Sequence, residues 1–395
     1  MAETLPAADW TRRADLAALV AALDPAGEGL VRYVGGAVRD TLLGIAVKDI
    51  DMATPLEPPA VIERLTAAGI RSVPTGLAHG TVTAITAGGP VEITTLRRDV
   101  STDGRHATVA FSQSWQEDAA RRDFTINALY ADPRDLVVHD YFGGLADLAA
   151  RRLRFIGDAE ARIREDYLRI LRYFRFQARF GSLPADPTAE AACSALAPGL
   201  KGLSRERIAS ELLLLLALPD PAPTVSRMAE LGVLAVILPE ADSAALPPLI
   251  AAERAHALPP EALRRFAALL PADPATAELV GARLRLSLAQ RKHIALVAAR
   301  TMPETDPRPL AYKVGRAAAL DRLLITGGNT APLDGWDIPQ FPLKGGMVVA
   351  RGISAGPDVA RILRAVEARW VEQGFDDGAI PALLEAAIGE GSTPA

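Results

Sequence analysis

The stretch Tyr33 to Thr54, YVGGAVRDTLLGIAVKDIDMAT, constrains the fold of this chain more than any other segment. An apolar strand runs into a Gly-Gly step and a helix, and a second strand, Ala46 to Met52, then carries two aspartates. On a strand, residues two apart point to the same side, so Asp49 and Asp51 project together while Ile50 faces a core. A bare Asp-x-Asp is more often a solvated strand end, but the adjoining glycines add a second signal. Like charges held this close repel unless a cation sits between them. Hard oxygen ligands at that spacing suit Mg²⁺, which takes one or two carboxylates and completes its shell with water and substrate phosphates. Gly35 and Gly36 follow a strand and open a helix, so backbone N–H groups can face a phosphate, and Arg39 adds a charge-assisted contact one turn later. In PVEITTL, Val91 and Ile93 share one face and leave Glu92 with Thr94 on the other. Asp49, Asp51 and Glu92, beside a phosphate cradle, are the parts that two-metal phosphoryl or nucleotidyl transfer needs.

The 395 residues allow two or three domains. Aromatic residues make up 5% of the chain while Ala, Leu and Arg are abundant, a bias toward helix. The single cysteine, Cys193, excludes an internal disulfide and any zinc site built from several cysteines. MAETLPAADW has no basic-then-apolar leader pattern, and the most apolar run, LLLLLALP, is far shorter than the ~20 residues that span a bilayer. These readings predict a cytoplasmic protein with no membrane partner. The formal net charge is −5, yet between Arg151 and Phe180 nine arginines face four acidic residues. Arg97, Arg98, Arg105, Arg121 and Arg122 lie just upstream. Arginines gathered in one region of an acidic chain point to a polyanion site, against the plainer reading of a solvated helix face.

Periodicity divides the chain. Arg12 to Leu23 reads as a helix, Pro55 to Ile70 as another with prolines at its start, and Thr81 to Leu96 as a hairpin broken at Gly-Gly-Pro. Residues 30–150 thus predict a small mixed α/β domain. Beyond Leu153 the pattern is helical with Pro/Ala-rich breaks, and a last long helix covers about Gly356 to Gly374.

Several segments, in order, carry a family resemblance. VGGAVRDTLLG with KDIDMAT resembles the first motif of class II tRNA nucleotidyltransferases and bacterial poly(A) polymerases, of the polymerase-β-type superfamily. TGLAHGTVT and EITTLRRD resemble the strands that follow, and RRDFTINALYAD is very close to the second motif. DYFGGLADLAARRLRFIGD, EDYLRILRYFRF and LSRERIASEL resemble the third, fourth and fifth. Together they span about residues 31–212. The resemblance implies an α+β protein: an N-terminal helix (1–27), a nucleotidyltransferase head (28–157), a helical neck (158–238) and a helical body and tail (239–395). His139-Asp140 lies at the head of the third motif, where a structural role outweighs a phosphohydrolase metal site.

Asp166 and Arg169, three apart on one expected helix, project to one side. An aspartate only accepts and an arginine only donates, which complements cytosine (amine and N3) and adenine (amine and N1) and mismatches uracil and guanine. In the family the EDxxR segment has that role. The resemblance assigns Arg122 to nucleotide binding, makes Asp123 and Asn127 candidates near the sugar, and extends nucleotide or phosphate contact to Arg172 and Arg175. Ile170, Leu171 and Phe174 read as packing residues. Arg205 and Arg207 either brace the neck or touch RNA, and with Lys344 and Arg351 they are the weaker candidates for RNA contact. Phe341 to Trp370 resembles the family's tail, except that Met347 replaces an acid common in relatives. The implied activity is CCA addition to the tRNA 3′ end from CTP and ATP with Mg²⁺. CC-adding, A-adding and poly(A)-adding enzymes share these motifs, and a noncatalytic RNA-binding protein would have lost the paired aspartates.

Overall fold

The computed structural model describes residues 3–103, 106–300 and 306–390; Arg105 lies outside them. Contacts divide the chain into two compact units, Met1–Pro239 and Glu240–Ala395.

The first unit opens with helix α1 (Ala14–Leu23), then strand β1 (Arg32–Val34), helix α2 (Gly36–Leu42), strand β2 (Asp51–Thr54) and helix α3 (Pro58–Ala67). Strands β3 (Ser72–Gly76), β4 (Thr81–Thr86) and β5 (Gly89–Thr95) follow, then a ribbon of β6 (Arg97–Asp103) and β7 (His106–Phe111). Helix α4 (Trp115–Ala120), strands β8 (Leu129–Ala131) and β9 (Val138–Asp140), and helix α5 (Gly144–Ala149) complete the mixed part. Seven strands form one sheet in the order β3-β4-β5-β2-β1-β8-β9, with β6 and β7 as a separate pair. Among the described strands only β2 and β5 pair in parallel, and their register sets Asp51 opposite Glu92. The expected hairpin is β4–β5, closed at Thr86 and Gly89.

The second expected strand is shorter than the sequence suggests. β2 begins at Asp51, and residues 45–50 lie outside any strand. β1, its antiparallel neighbour, is three residues long, and the β1–β2 register ends at Met52. Nothing pairs with the chain before Asp51, so alternation alone extends the apparent strand. Ile50 is buried and Asp49 exposed, so the expected in-out pattern holds without the ladder.

Helices α6 (Ala159–Glu165), α7 (Leu168–Phe180), α8 (Pro187–Leu196) and α9 (Arg205–Leu216) form the helical part of the first unit. α7 buries Ile170, Leu171, Tyr173 and Phe174, and it packs on α9. In the second unit, Trp370, fully buried, centres a core with Ile362, Val366, Leu383 and Leu384. The last long helix is Pro357–Glu372, and Met347 is an exposed residue of the short helix Gly345–Val349. Among the described residues no helix is long and apolar enough to cross a membrane.

Candidate active site

The step from β1 to α2 requires glycine. Gly35 adopts φ +67° and ψ −118°, a conformation that L side chains rarely adopt, and its amide donates to the carbonyl of Leu129 at 3.0 Å. This binds the turn to β8 and leaves Gly35 and Gly36 on the wall of a 460 Å³ cavity. Arg39, Asp51, Arg122, Asp123, Asn127, Asp166, Arg169 and Arg172 line the same cavity. Ten of the residues singled out in the sequence therefore share one space.

Asp51 carries the clearest electrostatic signature. Burial pushes its carboxyl up to about 6, and Glu92 and Asp49 add to the shift while Arg122 opposes it. Glu92 is its register partner on the parallel strand, on the face opposite Val91 and Ile93, both fully buried. Asp49 and Glu92 are themselves exposed and lie beside the cavity lining rather than in it. Three acids thus concentrate negative charge at one edge, with Asp51 half-buried and the other two exposed.

The opposite charge is held by networks. Arg122 donates through Nε to the Tyr130 hydroxyl at 3.0 Å and through Nη2 to Asp118 at 3.1 Å. Tyr130 donates to Asp118 at 2.6 Å, and Arg121 donates at 2.8 Å. Burial works against the Asp118 charge, but Arg122, Arg121 and Tyr130 hold its pKa below the usual range. Asp123 accepts from both Nε (2.9 Å) and Nη2 (2.5 Å) of Arg172, and its other oxygen accepts from Asn127 at 3.0 Å. Asn127 in turn accepts from Arg39, which also donates to Asp40 at 2.7 Å. The guanidinium of Arg39 sits 4.1 Å from the Phe180 ring centroid.

Asp166 and Arg169 differ from expectation in one respect. They do not share a helix: Asp166 ends α6 in an extended conformation, and Arg169 belongs to the first turn of α7. The cause is local, because an Asp166 oxygen accepts the Leu168 amide at 3.1 Å, as a capping aspartate does. Both still reach the cavity. Arg169 is held by Glu165 and by the Arg162 carbonyl at 2.7 Å. Asp166 accepts from Arg207 of α9 at 2.6 Å.

Other expected residues lie elsewhere. Arg175 is outside the lining and donates to Glu211 at 2.6 Å. At about 100° per residue, Arg169, Arg172 and residue 176 share a face that Arg175 leaves. Arg205 opens α9 and is partly exposed. Lys344 and Arg351 belong to the second unit, where Lys344 is exposed and Arg351 pairs with Glu385. Asp140 serves the chain itself, accepting amides of Phe142, Gly144 and Leu145.

Phe176 also lines the cavity, as does Arg121, which the sequence placed only in the arginine cluster and gave no role of its own. Phe176 was readable from its i, i+3, i+7 relation to Arg169 and Arg172. Glu165, which holds Arg169, is the first residue of the EDxxR segment itself, and Arg162, whose carbonyl also holds Arg169, carried no signal beyond its place beside that segment.

A glycine turn, a carboxylate edge on a parallel strand pair and an arginine-rich cavity at the head of a helical neck define a nucleotidyltransferase with a polymerase-β-type head. The comparisons agree. The family model described as "Poly A polymerase head domain" matches residues 31–154, and "Probable RNA and SrmB- binding site of polymerase A" matches residues 185–245. The mitochondrial CCA tRNA nucleotidyltransferase 1 of Danio rerio is 36% identical over 86% of this chain and 83% of its own length. The Mus musculus counterpart is 34% identical over 87% and 83%. The crystal structure of the Bacillus stearothermophilus CCA-adding enzyme in complex with CTP superposes with a TM-score of 0.77 at 27% identity, covering 95% of this chain and 98% of that one. The chain belongs to the CCA tRNA nucleotidyltransferase family.

Proposed function

We propose that this enzyme adds C, C and A to the 3′ end of tRNA, transferring CMP and AMP from CTP and ATP without a nucleic-acid template and releasing pyrophosphate. The observation that carries the reading is the single cavity shared by the glycine turn, Asp51 and the Asp166–Arg169 pair. Relatives matched over 83% of their own length and named as CCA tRNA nucleotidyltransferases support it over poly(A), CC or A addition.

In this reading Gly36 and Arg39 take the triphosphate at the turn that Gly35 forms, the Gly35 amide being engaged by Leu129, with Arg122 adding charge from its Tyr130–Asp118 support. The Asp123–Arg172 pair and Asn127 lie where the sugar and phosphates pass. Asp166 accepts the exocyclic amine of C or A, and Arg169 donates to N3 or N1. A uracil or guanine would set a carbonyl against the carboxylate and an N–H against the guanidinium, leaving buried polar groups unpaired. The RNA 3′-hydroxyl oxygen then bonds to the α-phosphorus as the bond to the β-phosphate oxygen breaks. The hydroxyl proton leaves toward the carboxylate edge, where Glu92 either accepts it or supports a cation.

The residues fit a divalent cation. Asp51, pushed up to about 6 by burial and by neighbouring Glu92 and Asp49, is a hard-oxygen group whose ionised form a cation would restore. Two carboxylates with open coordination are what Mg²⁺ takes beside substrate phosphates. Asp49 and Asp51 would hold Mg²⁺, which when bound would lower the hydroxyl pKa and neutralise the leaving group. Arg205, Lys344 and Arg351 remain candidates for RNA contact, whereas Arg207 is engaged by Asp166. A cytoplasmic location also belongs to this proposal, although the vertebrate relatives are named as mitochondrial.

The test is Mg²⁺-dependent labelling of tRNA lacking its 3′ CCA, with each of the four nucleotides in turn. Incorporation of C and A that stops after three additions upholds the reading. Long A tails would replace it with poly(A) addition, and no incorporation would leave an RNA-binding protein.

A further inference from the structure

Asp166 lines the cavity, but the group that fixes it does not. Arg207 reaches Asp166 Oδ2 from α9, 41 residues further along the chain, with Nη2 at 2.6 Å. The Leu168 amide takes Oδ1 at 3.1 Å. A carboxylate offers about four lone-pair directions. Two are thereby committed to the protein, and the rest are left for the cavity that Asp166 lines. Without a second anchor this carboxylate, at the break between α6 and α7, would turn about its own side-chain torsions. α9 is a firm base for that anchor, since Ile208, Leu212 and Leu215 are buried and α9 packs on α7.

We propose that Arg207 is a positioning residue for nucleobase selection: it orients Asp166 so that the carboxylate accepts the amine of C or A and turns away U and G. This rests on the assignment of Asp166 as the base acceptor. An orientation fixed to a fraction of an ångström is what makes a hydrogen-bonding site selective rather than merely polar. Arg207 is thereby distinct from a contact to RNA phosphate, which would act on every nucleotide alike. Arginine suits the task because its planar fork is preorganised, whereas lysine offers a mobile point charge.

The experiment compares kcat/KM for CTP and UTP, and for ATP and GTP, on tRNA lacking its 3′ CCA. It uses the full chain, Arg207→Met, Arg207→Lys, Asp166→Asn and the Asp166→Asn/Arg207→Met double variant. Arg207→Met is expected to lower the CTP:UTP ratio about tenfold, a fraction of what a hydrogen-bonded site achieves, with Arg207→Lys between it and the parent. In the Asp166→Asn background, Arg207→Met should lower the ratio no further. A ratio unchanged in both Arg207 variants, with the tRNA KM raised or all four rates falling together, overturns the proposal and returns Arg207 to RNA binding or stability. A full Arg207→Met effect on the ratio in the Asp166→Asn background also overturns it. Should Arg207→Met fail to fold, Arg207→Lys and Arg207→Gln read the same ratio. If Asp166→Asn itself leaves the ratio intact, the acceptor assignment has failed, and that result is distinct from failure at Arg207.

Discussion

The two units each contain an arginine–carboxylate network, and they differ in whether the network is closed. In the second unit Glu253 accepts from Arg264 at 2.8 Å and from Arg265 at 3.0 and 2.7 Å. Arg264 also donates to Asp321 at 2.6 Å, and His293 meets the other Asp321 oxygen at 2.8 Å. Arg265 is 1% exposed, and the charges answer one another away from water. In the first unit the pairs Asp123–Arg172 and Asp166–Arg207 are similarly short, but Asp123, Asp166 and Arg172 border the cavity. A closed network fixes packing, because its donors and acceptors are consumed. An open one leaves directed hydrogen-bonding capacity for a ligand. The same residue types thus close a core in one unit and border an open cavity in the other.

The sharpest break in that comparison is Asp51→Ala. Nucleotide incorporation should fall at least ~10³-fold, the scale of removing a preorganised electrostatic group. The melting temperature at pH 7–8 should hold or rise. The sign follows from the direction of the shift: a carboxyl raised to about 6 is costlier to ionise in the folded state, so above pH 6 it works against stability. Near-parental incorporation would remove Asp51 from the chemistry. Glu253→Ala should do the reverse and destabilise by about 3–5 kcal/mol, because it removes the buried carboxylate that both Arg264 and Arg265 meet, even though Arg264 keeps Asp321. Denaturant unfolding reads this, and a loss below ~1 kcal/mol would show that water enters the network.

These contrasts mark where sequence reading stops. Asp49, Ile50 and Asp51 could be placed by alternation, since side-chain direction is local. The start of β2 could not, because it depends on where its neighbours β1 and β5 stop pairing with it. Asp166 and Arg169 both reach the cavity as expected, but not for the expected reason, since the one helix on which their spacing was read is two. That they flank a helix break was not drawn from the spacing, although an aspartate two residues before Leu168 is a capping signal. Arg207–Asp166 and Arg175–Glu211 join residues far apart in the chain, and nothing local encodes such pairs.

Arg172 and Arg175 bring the comparison onto one helix. Arg172→Ala should lower kcat/KM for CTP about 10²-fold, as loss of an oriented charged donor does. Arg175→Ala should change kcat/KM by no more than about threefold and cost ~1–3 kcal/mol, because Glu211 is left nearly buried with a weaker partner. Equal kinetic losses in the two variants would mean that Arg175 also serves the nucleotide.

The smallest effect separates the networks by pH. Burial opposes ionisation of Asp118 and Asp123, yet their arginine partners hold both pKa values below the ordinary value. Their stabilisation is complete above the unfolded carboxylate pKa of about 3.9 and is lost as pH falls through the lower folded value. His293 behaves oppositely. The hydrogen bond to Asp321 raises its pKa against burial, so its contribution is complete below the unfolded value of about 6.5 and fades as pH climbs through the raised one. His293→Gln should therefore flatten the decline of stability above neutrality, an effect on the order of 1 kcal/mol, and leave the acid limb untouched. Melting temperatures from pH 3 to 9 for both proteins check this. A substitution that moved the acid limb instead would mean that His293 is not held charged by Asp321, and the closed network would lose its one titrating member near neutral pH.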